Sequence, residues 1–421
     1  MTEKTIMPYL FFLGRSRELA TAELLSFFPQ AKRVTDDIYQ VDEESFNVNG
    51  KAIATRDAMS LLGGTVKIAV VLGIESSCDS KNIIKYISHH SRNEINNSHP
   101  GLDPGSYKMP DQVRHDTRVY DDHNKITFGI STYEGVGKIP QSVYQDIKQL
   151  LENNGKKVRF VLPQDGSVLS SVAVVKQGVT EINIVKIDDG FLLSKTLAVQ
   201  EFEEWGRRDF DRPFFDSKKG MLPPKAARMA VNIALSGNTA GKTVLDPFCG
   251  MGTIPGEAVL LGAIAMGSDT SKEAIEKAKK NTIWLRSRDA NLPPVTYFVS
   301  DATHISQYVR EGTIDAIVTE PFMGSPKLGL GKMTDAKEIR NAVKGLEKLY
   351  IGCLREWLSL LKKGGVVVIA LPEIELGKTK YFVKSVIDSC EALGYTNQLG
   401  PLPYSRPQAV VRRMFYKFKK L

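Results

Sequence analysis

The segment VLDPFCGMGT, residues 244–253, combines residue types that could bind a small ligand at the end of a strand. An apolar run that predicts a buried strand ends at Asp246. Gly250 and Gly252 follow, and glycines allow a tight turn in which the backbone approaches a ligand closely. A helical pattern begins at Thr253, so free N–H groups are expected at the helix start. The segment therefore predicts a strand–turn–helix corner that binds a cofactor.

The spacing of the glycines restricts the ligand of this corner. The pattern is not G-x-G-x-x-G, and no Lys-Ser/Thr pair follows Gly252, so neither a pyrophosphate nor a nucleotide γ-phosphate is expected. The carboxylate of Asp246 in front of the turn suits a cationic ligand. The amino and sulfonium groups of S-adenosylmethionine carry such charge. The alternative is an α/β crossover without a ligand.

Several segments carry a family resemblance. DPFCGMGT resembles the cofactor loop of class I RNA and DNA methyltransferases. FLGRSRELATAELLSFFP near the N-terminus, and then FGISTYEG, GKKVRFV and LSSVAVVK in that order, are similar to segments of the THUMP-containing tRNA guanosine-N2 methyltransferases. The resemblance implies S-adenosyl-L-methionine as the cofactor, tRNA as the partner and a cytoplasmic location; a further protein subunit is left open.

Two further carboxylates follow predicted strands. Asp269 comes 23 positions (269 − 246) after Asp246, near the spacing of about 20 residues for a carboxylate that binds ribose hydroxyls. Asp301 follows the next strand, and the resemblance implies that it accepts from the adenine amine. Each could instead be a helix N-cap. Met221, Pro223 and Lys225 are similar to an element that closes over the cofactor, although a capped helix start is the alternative. The predicted cofactor-binding residues are Asp246, Phe248, Gly250, Gly252, Thr253, Asp269, Asp301, Ala302, Met221, Pro223 and Lys225.

The motif TEPFMG, Thr319–Gly324, ends the fourth predicted strand. The family that the chain resembles uses [DNS]-P-P-[YFW] here. In that motif, oxygens accept the hydrogens of an exocyclic amine and an aromatic ring stacks on the base. This chain has Glu320 at the acid position, a single proline, and an aromatic residue one position earlier than in the family motif. The atom of the base that is methylated is therefore not determined by the motif. The predicted catalytic residues are Glu320, Pro321 and Phe322; the alternative is a strand-ending turn without chemistry.

Composition narrows the possible classes of protein. The net charge of +8 and a pI of about 9.0 favour a polyanionic partner without requiring one. The four cysteines lie far apart and the six histidines form no metal-binding pattern, which argues for a reducing compartment and against a metal site or a disulfide framework. The N-terminal sequence MTEKTIMPYL lacks signal-peptide features, and no apolar run reaches the ~18 residues of a membrane span.

The C-terminal half alternates predicted strands and helices, which indicates an α/β fold with a doubly wound, Rossmann-like parallel sheet. A helix is expected from Lys272 to Arg286, with Thr270 at its start, and another around residues 381–393. A terminal β-hairpin distinguishes a methyltransferase from a dehydrogenase of similar topology. The predicted strands are residues 243–246, 263–268, 295–299, 314–319, 366–371, 395–404 and 409–417.

The predicted domains are an N-terminal ferredoxin-like α+β domain (1–67), a THUMP-like RNA-binding domain (68–199), a linker (200–219) and a Rossmann-like methyltransferase domain (220–421). Residues 96–122 are rich in Pro and Gly and are expected to be a disordered insertion. The segment SSVAVV, residues 170–175, is interpreted as a strand.

Basic residues in both halves could contact phosphates, or they could be solvated surface. They are Lys156, Lys157, Arg159 and Lys176 in the THUMP-like region, and Arg406, Arg412, Arg413, Lys417, Lys419 and Lys420 near the C-terminus. The preferred hypothesis is an S-adenosylmethionine-dependent enzyme that methylates the exocyclic amine of a guanosine in tRNA. The alternatives are a DNA amino-methyltransferase and a non-catalytic RNA-binding protein with a degenerate methyltransferase domain.

Overall fold

A computed structural model describes residues 7–89, 125–164, 166–215, 221–325, 335–405 and 409–421. The predicted insertion at 96–122 and Arg406 lie outside the described residues. The helices are α1 (Arg17–Phe27), α2 (Thr55–Leu61), α3 (Ser80–His89), α4 (Gln141–Asn153), α5 (Ser171–Lys176), α6 (Phe202–Gly206), α7 (Pro224–Leu235), α8 (Thr253–Leu260), α9 (Lys272–Arg286), α10 (Ala336–Leu360) and α11 (Lys384–Asp388). The strands are β1 (Tyr9–Leu13), β2 (Lys32–Arg33), β3 (Ile38–Val41), β4 (Asn47–Val48), β5 (Lys51–Ala52), β6 (Thr65–Glu75), β7 (Lys125–Tyr133), β8 (Lys157–Val161), β9 (Thr180–Ile187), β10 (Gly190–Val199), β11 (Thr243–Asp246), β12 (Ile264–Asp269), β13 (Val295–Val299), β14 (Ile314–Thr319), β15 (Leu361–Leu376), β16 (Thr379–Phe382), β17 (Tyr395–Tyr404) and β18 (Val411–Lys420).

The N-terminal half contains one eight-stranded sheet in the order β2-β3-β1-β6-β10-β9-β7-β8. The long strand β6 pairs antiparallel with β1 on one side and with β10 on the other. The predicted boundary between residues 67 and 68 falls inside β6, so strands from both predicted N-terminal domains share the sheet. The division into a ferredoxin-like and a THUMP-like domain stays a prediction.

The expected strand at residues 170–175 is wrong, because these residues form helix α5. The Ser170 hydroxyl accepts a hydrogen bond from the Ala173 N–H at 3.1 Å and caps the helix. Val174 is buried beside Leu169, whereas the valines on either side of it are exposed. The capping bond and the burial of one face outweigh the strand preference of the β-branched residues.

The C-terminal sheet confirms the predicted Rossmann-like methyltransferase fold. Its strand order is β13-β12-β11-β14-β15-β18-β17, with β16 paired to β15. Strands β11 to β15 run parallel, and β18 and β17 follow as an antiparallel hairpin. Because the strand order reverses between β11 and β14, a ligand crevice is expected at the carboxyl ends of these two strands.

Two local predictions for this half are wrong. Ser271, and not Thr270, caps α9, because the Ser271 hydroxyl accepts from the Ala274 N–H at 3.2 Å. The helix expected around residues 381–393 is confined to α11, since residues 379–382 extend the sheet as β16.

The two halves share a buried interface in which α1 packs against α7. Glu23 of α1 is fully buried, and its carboxylate accepts from the Gly63 N–H at 2.9 Å, the Gly64 N–H at 2.7 Å and the Asn232 side chain at 2.6 Å. Burial raises the pKa of Glu23 to about 6. The bond from Asn232 joins α1 to α7 across the interface, while the bonds from Gly63 and Gly64 hold the Glu23 carboxylate in place within the N-terminal half. Among the described residues, no helix has both the length and the apolar composition needed to cross a membrane.

Candidate active site

Asp246 ends β11, beside the reversal in strand order where the crevice is expected. It is 2 % exposed, and its Oδ1 accepts from the Thr319 hydroxyl at 2.7 Å and from the Phe248 N–H at 3.1 Å. Thr319 ends β14, so the two strands on either side of the reversal are joined here. The Phe248 ring packs edge-on against Trp357, with centroids 6.4 Å apart, and so belongs to the core beneath the loop.

The glycines of the loop adopt backbone conformations that other residues rarely reach. Gly250 has φ of 50° and its N–H donates to Asp269 Oδ2 at 3.1 Å. Gly252 has φ of 83°, and a Cβ there would lie 2.8 Å from the Tyr297 hydroxyl. A larger residue at Gly252 would be both strained and too close to Tyr297. The turn therefore brings the carboxylates of β11 and β12 to one loop.

The electrostatics of the loop suit a cation. The pKa of Asp246 is raised to about 7, mainly by burial and also by the nearby charges of Asp269 and Glu320, which together outweigh the hydrogen bonds from Thr319 and Phe248. Several carboxylates thus meet in one buried region. A positively charged ligand would stabilise the ionised form of Asp246.

The third predicted carboxylate follows β13 and is more open. Asp301 is exposed, and its Oδ1 accepts from the Thr303 N–H at 2.8 Å and the Thr303 hydroxyl at 2.7 Å. The Thr303 N–H holds the pKa of Asp301 below its usual range. Ala302 is buried, and its carbonyl accepts from the Trp357 indole N–H at 3.0 Å. Asp301 remains at the same sheet edge as Asp246 and Asp269.

The predicted residues at the start of α7 contact two different parts of the protein. Pro223 is the N-cap residue of α7. The Lys225 Nζ donates to Gln200 Oε1 at 2.5 Å and lies 5.6 Å from the Trp205 ring centre, so its side chain contacts the linker. Burial lowers the pKa of Lys225. Met221 directly precedes Leu222, whose backbone N–H donates to the Glu320 carboxylate after β14.

The motif after β14 places an acid and a ring at the crevice. Glu320 Oε1 accepts from Arg413 Nε at 2.5 Å, and their side chains are 16 % and 15 % exposed. Burial raises the pKa of Glu320, while Arg413 and the Leu222 N–H lower it. Pro321 is buried, whereas Phe322 is 54 % exposed and its carbonyl accepts from the Tyr350 hydroxyl at 2.6 Å.

Sequence reasoning missed the partners of this motif. Arg413 was interpreted as one of several basic residues of the C-terminal segment, yet it lies beside Glu320. Its neighbour Arg412 pairs instead with Glu375, at 2.9 Å. Alternation along β18 could have placed the two arginines on opposite faces, but only the pairing of β18 with β15 brings one of them to the crevice.

The described residues contain no group of three His, Cys, Asp or Glu side chains that could hold a metal ion.

Thr253, predicted to bind the cofactor, begins α8, and its hydroxyl accepts from Arg212 at 2.9 Å. Arg212 belongs to no sequence motif, and only the structure brings it to Thr253.

Comparison with known proteins adds to this geometry. Residues 238–402 match the profile of a family described as "Methyltransferase domain". The chain is 34 % identical over 194 residues to a protein named tRNA (guanine(10)-N2)-dimethyltransferase from Methanothermobacter thermautotrophicus, covering 46 % of this chain and 51 % of that protein. It is 29 % identical over 180 residues to the protein of the same name from Pyrococcus abyssi, covering 42 % of this chain and 52 % of that one. The chain thus spans about half the length of the curated relatives that it matches.

A solved structure is similar over the whole chain. The crystal structure of TrmN from Thermus thermophilus aligns with 99 % of this chain and 100 % of its own, with a TM-score of 0.50 and 15 % sequence identity. At this identity the likeness supports the fold alone.

Proposed function

We propose that this protein is an S-adenosylmethionine-dependent tRNA methyltransferase that acts on the exocyclic N2 amine of a guanosine. One observation carries the proposal. The glycine turn, with the carboxylates of Asp246 and Asp269, lies at the same sheet edge as Glu320 and the exposed Phe322. The match to a methyltransferase domain and the names of the curated relatives support the same reaction class and substrate.

The loop residues fit the proposed cofactor. When bound, S-adenosylmethionine supplies an electrophilic methyl group on a sulfonium. Asp246 and Asp269 would hold its positive charge and its ribose hydroxyls, because both carboxylates lie at the glycine turn. Asp301, which is exposed after β13, would accept from the adenine amine. The backbone of Gly250 and Gly252 would lie against the cofactor, since neither residue carries a side chain.

The motif after β14 fits an aromatic base with an exocyclic amine. The open face of Phe322 would stack on the base, and the hydrogen bond from Tyr350 to the Phe322 carbonyl holds this turn in place. A Glu320 oxygen would accept a hydrogen from the amine and orient its lone pair toward the methyl group. Arg413 would keep Glu320 ionised for this role.

We assign tRNA binding to the N-terminal half, with residues 68–199 as a THUMP-like module. Lys157 and Arg159 are exposed on the edge strand β8, where phosphates could reach them. Lys176 pairs with Glu203 of the linker at 3.3 Å and is less suited to RNA contact. A cytoplasmic location belongs to the same proposal, because that is where a tRNA substrate would be met.

One observation favours a second candidate function. Glu320 already has Arg413 as its partner, which would also suit a degenerate site in a protein that only binds RNA. Cofactor binding does not distinguish the two candidate functions, since a degenerate domain could still bind the cofactor. Methyl transfer to tRNA distinguishes them, because only the enzyme carries it out.

The test is mass spectrometry of nucleosides from an unmodified tRNA transcript that has been incubated with the protein and labelled S-adenosylmethionine. The expected product is guanosine carrying the label on N2, and the mass distinguishes one methyl group from two. The Asp246→Ala variant is the control, because it should lose the cofactor while remaining folded. Label on another base would overturn the choice of acceptor, and absence of label with intact tRNA binding would favour the RNA-binding protein.

A further inference from the structure

The linker between the two halves exposes aromatic rings to solvent. Phe210 is 62 % exposed and Phe215 is 45 % exposed, and their rings meet edge to face with centroids 6.3 Å apart. The ring of Phe214, between them in sequence, lies 5.4 Å from Lys280 Nζ and 6.0 Å from Lys277 Nζ. We define these five residues as the linker patch. It combines exposed π faces with cations.

The linker patch is fixed beside the cofactor loop. The Phe214 N–H donates to Asn281 Oδ1 at 3.0 Å, and Asn281 Nδ2 donates to the carbonyls of Phe214 and Met251 at 2.9 Å each. Arg212 donates to the Thr253 hydroxyl at 2.9 Å. The Asn281 side chain thus links Phe214 to Met251 inside the glycine turn, and Arg212 binds Thr253 directly after the turn. The patch is therefore held in place relative to the site.

The chain continues from the patch to the other side of the crevice. The Leu222 N–H donates to the Glu320 carboxylate. Phe214 and Leu222 are eight residues apart (222 − 214), so at most about 28 Å separates them. The patch thus lies within a few nucleotides of a base that reaches Glu320.

We propose that the linker patch binds unpaired nucleobases of the RNA that flank the target nucleotide, with Phe210 and Phe215 stacking on bases and Lys280 contacting the phosphate backbone. This inference rests on the proposed function for the nature of the substrate. Exposed rings accept any base because every base has a π face. Lys277 and Lys280 lie beside the Phe214 ring, and Lys277 also pairs with Glu273 at 2.5 Å. Lysine next to an aromatic ring suits a polyanion, whereas the cores of protein–protein interfaces are depleted of lysine.

The experiment compares three double variants of the full chain at Phe210 and Phe215. Changing both residues to Tyr retains the rings, Leu retains apolar bulk without a π face, and Ala retains neither. Two probes are used, an unmodified tRNA transcript and a single-stranded oligouridine, and calorimetry with S-adenosylmethionine checks that the cofactor loop is intact. The Ala and Leu variants should bind the transcript about 5- to 150-fold more weakly per stacked base, while the Tyr variant keeps wild-type affinity.

The salt dependence gives a second readout. Lys280→Gln should reduce the slope of log affinity against log salt by about 0.7, the contribution of one phosphate on a single strand. Lys384→Gln is the matched control, because Lys384 pairs with Asp388 on the surface of α11. An unchanged slope for Lys280→Gln would remove the lysine from the proposal.

The outcomes separate this inference from the proposed function. Suppose that the wild-type protein binds oligouridine but not the transcript, and that the Tyr variant binds oligouridine more tightly than the Leu and Ala variants. The proposal for the linker patch is then supported, and the assignment of tRNA as the substrate is wrong. Equal RNA affinity in all variants would overturn the proposal for the linker patch. It would also be overturned if the Leu variant kept wild-type RNA affinity while the Ala variant lost it, because apolar bulk without a π face would then be sufficient. Absence of binding to either RNA would also overturn it.

Discussion

Replacing Arg413 by Gln should move the acidic limb of the pH–rate profile of methyl transfer to higher pH. The Glu320 carboxylate must be ionised to accept from an amine, and burial already raises its pKa. Arg413, whose Nε lies 2.5 Å from Glu320 Oε1, opposes that effect. Without the guanidinium the carboxylate holds its proton to higher pH, so the rate at the acidic end falls.

The magnitude follows from the geometry of the pair. For charge centres about 4 Å apart, the attraction is about 4 kcal/mol at an effective dielectric constant of about 20. The side chains retain 15–16 % exposure and the Leu222 N–H stays in place, so we take about half of that attraction, or about 2 kcal/mol. This corresponds to an approximately 30-fold tighter hold on the proton. At a given acidic pH, the rate of the variant as a fraction of its plateau should be about 30-fold below the same fraction for the wild type.

The assay is the single-turnover rate of label transfer to a tRNA transcript between about pH 5 and pH 9, with S-adenosylmethionine saturating at every pH so that the pH dependence of cofactor binding does not enter. Arg413→Lys should restore much of the profile because it keeps the charge. Arg412→Gln is the matched control on the same strand, since Arg412 is 38 % exposed and pairs with Glu375. Glu320→Gln should abolish the acidic limb with or without Arg413. A wild-type acidic limb in Arg413→Gln would refute the reasoning.

Three further predictions address other parts of the structure. Because burial raises the pKa of Asp246 to about 7, affinity for S-adenosylmethionine should increase as the pH rises toward 7 and level off above it. Asp246→Asn should weaken binding and flatten this dependence in calorimetry, and an unaltered curve would exclude Asp246 from the site. Phe322→Ala should cost about 1–3 kcal/mol in kcat/KM for RNA while Phe322→Tyr costs little, and equal rates for Ala and wild type would contradict stacking. Glu23→Ala leaves the Gly63 and Gly64 N–H groups without their buried acceptor, so urea unfolding should show a loss of about 2–4 kcal/mol; a change below about 0.5 kcal/mol, typical of surface substitutions, would contradict a structural role at the interface.

Much of the C-terminal fold could be predicted from the sequence because its signals are local. Strands β11, β13 and β14 and helix α9 begin and end where the apolar pattern, the glycines and the acidic residues predict. The central strands β11 and β14 are largely buried and read as short apolar runs, whereas β13, at the edge of the sheet, is only partly buried. The glycine turn could likewise be predicted, because Gly250 and Gly252 adopt positive φ angles that few other residues reach.

Predictions of secondary structure from local sequence patterns were wrong where contacts with residues distant in sequence determine the structure. The valines of residues 170–175 favour a strand, yet a cap at Ser170 and a single buried position make α5 a helix. Residues 379–382 joined β15 as an added strand, which no pattern within the segment predicted. Likewise, only the pairing of β6 with both β1 and β10 merges the two N-terminal regions into one sheet.

The sequence by itself determined which carboxylates lie together, since Asp246 and Asp269 end parallel strands, Glu320 follows a third, and the carboxyl ends of parallel strands lie at one edge of a sheet. Only the tertiary structure decided the charge state and the accessibility of these groups. Arg413 is 93 residues from Glu320 along the chain, and the register of β18 on β15 brings them together. Burial and distant partners set the pKa of a carboxylate, and neither can be read from the residues that surround it in sequence.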